Sequence, residues 1–139
     1  MLLDDVCKRF KEIELHDSRL IGLTIERRGR EPISDVHLTL SLQGGVYPDY
    51  HWTDARLVFI DCTYLKIEID QTMLHAAADA INGTECLNDS TLRRELEAGV
   101  MKYENAPLSE YLEFMIGLCP PAGELHFFAR DFRLETPPR

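Results

Sequence analysis

From Val36 to Gln43 the chain alternates without a slip: Val36, Leu38, Leu40 and Leu42 are apolar, and His37, Thr39, Ser41 and Gln43 are polar. Only a pleated strand sends successive side chains to opposite faces, so this stretch predicts a β-strand with one dry side and one wet side. A second alternation, Ile21, Leu23 and Ile25 against Gly22, Thr24 and Glu26, precedes it across the charged turn region RRGREPIS. So short a connection predicts an antiparallel hairpin.

The segments on either side extend this sheet or cover it. Leu3, Val6, Phe10 and Ile13 follow helical spacing, and Asp4 and Asp5 precede Lys8, Arg9 and Lys11 in the order the helix dipole favours. Beyond Gly44-Gly45 and the aromatic loop VYPDYHWTD, the run ARLVFIDCTYLKIEID sets Leu57 and Phe59 on one face. After a break near Asp61-Cys62 it sets Leu65, Ile67 and Ile69 on one face, which predicts two strands, because strands average about five or six residues. Leu74, Ala77, Ala78 and Ile81 return to helical spacing up to Asn82-Gly83, a helix stop, and Ser90 reads as the N-cap of a second short helix carrying Leu92 and Leu96. YLEFMIGLC and ELHFFARDFRLE, separated by PPAG, read as a last strand pair in which Leu112, Phe114 and Ile116 face Leu125, Phe127 and Ala129.

The expected class is α+β: one curved antiparallel sheet of about six strands, an N-terminal helix, and two short helices inserted before the last strand pair. Residues 1–135 are expected to form a single domain and 136–139 a loose tail.

Fifteen Lys and Arg against 24 Asp and Glu give a net charge of -9, which repels nucleic acid and anionic membranes; it would steer a basic protein or a cationic ligand toward the chain, but such acidity is also, and more commonly, a device for solubility. No apolar run reaches the roughly 18 residues of a spanning helix, and the start MLLDDVCKRFKEI lacks the pattern of an export signal. The expected location is therefore cytoplasmic. Cys7, Cys62, Cys86 and Cys119, with no C-x-x-C pair, are then expected as reduced thiols, and the sequon at Asn82-Gly83-Thr84 as unused.

His16, Asp17 and Ser18 are the residue types of a hydrolytic triad, but such triads draw their members from separate parts of a fold. On extended backbone, neighbouring side chains splay apart, so the expected role of the three is a structural turn between helix and strand. His37 and His126, on the wet faces of their strands, could form a metal site with His16 or Asp17 only if those strands were neighbours. Phosphate-binding glycine patterns are absent. No catalytic set, metal or cofactor is expected. Tyr47, Asp49, Tyr50, Trp52 and Asp54 supply aromatic and acidic side chains suited to an interface, and the same loop could instead fold over the sheet as a core lid.

LHDSRLIGLTIER (15–27), LVFIDCTYLKIEID (57–70) and FFARDFRLE (127–135) together resemble a broad group of small bacterial proteins. These open with an H-D-S or H-D-x-E strand and end in an A-x-x-F-x-L strand, and some resemble immunity proteins of polymorphic toxin systems. The resemblance implies a β-rich α+β fold and no particular enzymology. The leading expectation is a non-catalytic protein-binding module, immunity-like, for a basic partner. The rivals are a small hydrolase or metal-dependent enzyme using His16 and Asp17, and a self-associating structural protein, for which a homodimer is open.

Overall fold

The computed structural model describes residues 2–30, 34–69, 80–99, 108–119 and 123–136. Helix α1 (Leu2–Lys11) leads into β1 (Arg19–Arg27), β2 (Ser34–Gly44), β3 (His51–Cys62), β4 (Tyr64–Ile69) and β5 (Ile81–Leu87). Helix α2 (Thr91–Ala98) and a 3-10 turn (Leu108–Glu110) precede β6 (Leu112–Leu118), β7 (Gly123–Ala129) and β8 (Asp131–Glu135). The class is α+β, mostly sheet. The described strands number eight, in two four-stranded antiparallel sheets ordered β1-β2-β3-β8 and β4-β7-β6-β5, where a single curved sheet of about six was expected.

The difference arises at a bend in one long ribbon. β3 pairs with β8 from Arg56↔Glu135 to Ile60↔Asp131, and β4 pairs with β7 from Tyr64↔Phe128 to Ile69↔Gly123. Three residues, Asp61 to Thr63, face two, Ala129 and Arg130, so the extra residue forces a bulge that turns the ribbon from one sheet into the other. Thr63 N–H donates to Phe128 O at 2.9 Å and Arg130 N–H to Ile60 O at 3.1 Å, so the bend keeps its backbone bonds. For the same reason ELHFFARDFRLE is two strands, not one.

Asp61, at φ 54°, is held at this bend by its own N–H, which donates to Asp35 Oδ1 at 3.0 Å, while Arg28 reaches Asp35 and Asp61 at 2.7 Å each. Burial works to raise the Asp35 pKa, but bonds from Arg28 and the Asp61 N–H outweigh it and hold it below its ordinary value. A folded-state pKa below the unfolded one gives stability that is present above about pH 4 and is lost as pH falls through the folded value. Urea midpoints of the native protein should therefore drop as pH is lowered past that point. Arg28→Ala should be less stable at neutral pH and show a shallower acid limb.

The inner faces of both sheets and α1 share one core. Leu38 and Leu40 of β2, Leu57 and Phe59 of β3, Phe114 and Ile116 of β6, and Leu125 and Phe127 of β7 are buried together. Leu112, Phe114 and Ile116 lie opposite Ala129, Phe127 and Leu125, as their alternation predicts. Phe10 of α1 is inserted among Phe59, Phe114 and Phe132, with ring centroids 5.0–6.1 Å away.

On β1 the register shifts between Leu20 and Gly22, so Ile21 becomes the extra residue of a bulge and is 61 % exposed. The core-facing positions are then Leu20 and Leu23, opposite Leu40 and Leu38, a change from the face expected for Ile21.

Two further expectations are corrected. Asn82 and Gly83 lie inside β5, Gly83 opposite Gly117 of β6 and Asn82 the extra residue of a register shift, and do not end a helix; most of the helix expected up to Ile81 lies outside the described residues. Cys7 and Cys86 form a disulfide, Cα–Cα 5.3 Å, that ties α1 to β5, so the expectation of four reduced thiols fails for this pair. Cys62 and Cys119 are free, and burial pushes the Cys62 thiol up to about 11.

Candidate functional site

The 16–18 segment is a corner. Asp17 takes φ 65°, its N–H donates to Ile81 O at 2.9 Å, and Ile81 N–H donates to Ser18 O at 2.7 Å. These bonds, with the Arg19↔Ala80 bridge, fasten the start of β1 to β5 across the two sheets. Ser18 is fully buried and its Oγ accepts the Gln43 N–H at 3.1 Å, while His16 and Asp17 face solvent and pair with each other at 3.1 Å. The hydroxyl and the imidazole therefore occupy different environments. Ser18→Ala should cost about 1–3 kcal/mol, because the Gln43 N–H loses its acceptor, whereas His16→Ala should change stability by less than about 0.5 kcal/mol. Urea unfolding of the two variants checks both values.

The three histidines do not converge. His37 projects from the outer face of β2 and meets Glu26 at 3.1 Å; His126 projects from the outer face of β7 in the other sheet. The shared core lies between those faces. Among the described residues no group of three or more His, Cys, Asp and Glu side chains is placed to hold a metal ion.

The loop after β2 turns outward. Val46 is 77 % exposed, Tyr47 81 %, Tyr50 49 % and Trp52 47 %, so these side chains do not fold over the core and the lid arrangement does not occur. Asp49 N–H donates to Val46 O at 2.7 Å and the Tyr47 and Tyr50 rings meet edge to face at 6.2 Å, which gives the tip a shape of its own. Gly45 is required there: at φ 81° an added Cβ would lie 2.5 Å from Asp49 O.

Trp52 and Asp54 follow on one face of β3, opposite Gln43 and Ser41, and the Arg19 guanidinium lies 5.8 Å from the Trp52 ring. The five residues singled out in the sequence thus form one exposed surface: Tyr47, Asp49 and Tyr50 at the tip, Trp52 and Asp54 on the adjoining strand.

A second feature escaped the sequence reading. On the outer face of the β4-β7-β6-β5 sheet, α2 packs Leu96 and Leu92 over Tyr64, Tyr111 and Phe128. Ser90 caps this helix, its Oγ accepting the Arg93 N–H at 3.1 Å, and the buried Arg93 guanidinium donates to Asn88 O and Tyr111 O above the Phe128 ring. Beside the helix lies a cleft of about 480 Å³ whose lining includes Lys66, Arg94, Glu95, Glu113 and His126. His126 Nδ1 lies 2.8 Å from Glu113 and Nε2 3.0 Å from Glu124. Glu124 shares β7 with His126, whereas Glu113 lies on β6, so the imidazole links the two strands through Glu113. The signal was present in the alternation, since Glu113 and His126 sit on the wet sides of strands expected to pair.

No family model matches this chain, and neither a curated protein nor a solved structure is similar to it. Among the described residues no helix is long and apolar enough to cross a membrane.

Proposed function

We propose that this chain is a non-catalytic protein-binding module, of the immunity type that neutralises a basic partner, with the 46–54 surface as its recognition site. The observation that carries the reading is the exposure of Val46, Tyr47 and Tyr50 at the tip together with Trp52 on the strand that follows it. Tyr and Trp are the side chains that most often anchor interfaces, since they bury large area at low entropic cost and keep a polar handle. Asp49 and Asp54 beside them, on a chain of net charge -9, add attraction for Lys- and Arg-rich surfaces and speed encounter.

A cytoplasmic location and the Cys7–Cys86 disulfide pull in opposite directions, because cytosolic thiols are kept reduced. Acid quenching of host cells followed by alkylation in denaturant, which exposes the buried Cys62 and Cys86, decides between them: four labelled cysteines match a reducing cytosol, and two match an oxidising compartment.

Binding is tested by capture from the native host at low and high salt. The partner should be a basic protein whose retention falls as salt rises. Trp52→Ala should weaken capture at least tenfold, as expected of an interface anchor. Trp52 is the single tryptophan, so its emission also reports coverage of this surface directly. Capture that ignores both Trp52→Ala and Tyr47→Ala would remove this surface from the function.

A further inference from the structure

β4 is the outer strand of its sheet, and among the described residues no strand pairs with the edge it turns away from β7. Backbone hydrogen-bonding groups alternate sides along a strand, so half of those on β4 face that edge. Such an edge accepts another extended chain unless its side chains forbid the register. On β4 the side chains select one. Lys66 and Glu68 project from the outer face, about half exposed and paired at 2.8 Å. Ile67 projects to the inner side opposite buried Leu125, yet is itself 48 % exposed because β4 ends the sheet.

We infer that β4 pairs antiparallel with β4 of a second copy of this chain, about a two-fold axis at Ile67, joining two four-stranded sheets into one of eight strands. In that register Ile67 meets Ile67 of the second copy, covering apolar surface that the monomer leaves wet. Lys66 lies directly opposite Glu68 of the second copy, and Glu68 opposite its Lys66, two cross-strand ion pairs on the same face.

Other registers are worse. A shift of two residues in either direction sets Lys66 against Lys66 or Glu68 against Glu68. A shift of one opposes residues that point to different faces. The aromatic tip lies at the start of β3, away from this edge, so the dimer presents two recognition loops.

A six-residue strand pair is smaller than the roughly 1,200 Å² of a standard interface, so the association is weak and depends on concentration. Sedimentation velocity of the full chain from roughly 5 to 500 µM, a range suited to such a contact, should show a monomer passing to a dimer. Lys66→Glu gives a strand with two acids and Glu68→Lys one with two bases. Each alone should associate at least tenfold more weakly, and an equimolar mixture of the two should recover the dimer. Ile67→Lys, which places two ammonium groups at the axis, should also stay monomeric. All three side chains are about half exposed, and circular dichroism of each variant verifies that the fold is kept. A native chain that stays monomeric throughout, a dimer indifferent to the single variants, or a mixture as monomeric as its components would overturn the inference.

Discussion

Reduction of the Cys7–Cys86 disulfide is expected to lower the unfolding free energy by about 4.5 kcal/mol, the chain-entropy value for a loop of roughly 80 residues. The two cysteines are 79 positions apart, so the bridge removes a large part of the freedom of the unfolded chain. It also acts where the folded protein most needs a tether. α1 has ten residues, too few to be stable alone, and its docking rests on Phe10, Val6, the Arg9–Asp131 ion pair at 3.0 Å and this bond. Calorimetry with and without reductant should show a fall in Tm on the order of 10 °C. Cys86→Ser should match the reduced protein and be insensitive to reductant. Equal melting with and without reductant would mean that the bridge contributes nothing.

Phe114→Ala is expected to cost about 3–5 kcal/mol, the range for removing a buried aromatic ring without collapse of the space it leaves. The ring is fully buried and touches Phe10, Phe59 and Phe132, with centroids 5.0, 5.1 and 5.9 Å away. Those neighbours come from α1, β3 and β8, three separate elements, so no single shift refills the site. Phe114→Leu, which keeps most of the apolar volume, should cost less than half as much. Urea unfolding with an unchanged m-value measures both; a loss below about 1 kcal/mol for the alanine variant would mean that the two sheets do not share this core.

The strands that alternate cleanly were legible because period and burial agree. Val36 to Leu42 pointed to the core face of β2, and Leu112, Phe114 and Ile116 pointed to their partners on β7. Where a bulge intervenes, alternation misleads by one residue, as at Ile21, and a bend in a paired ribbon divides one apparent strand into β7 and β8. β5 was hidden because Asn82-Gly83 carries turn chemistry, and pairing with β6 overrides that local preference. The disulfide was invisible because two residues so far apart in sequence meet only when α1 docks on β5.

The candidate surface was easier to read than the fold around it. Tyr47, Asp49, Tyr50, Trp52 and Asp54 are clustered in sequence, and only the direction of the loop had to come from coordinates. The Glu113–His126 pair needed the register of β6 on β7.

The most direct test of a recognition role is photo-crosslinking in the native host, with a benzophenone side chain in place of Tyr47 and, as control, in place of Thr39, exposed on the outer face of β2. One basic protein should become covalently attached from position 47 and not from position 39. A folded, abundant chain that captures nothing from position 47, or the same proteins from both positions, would contradict the account.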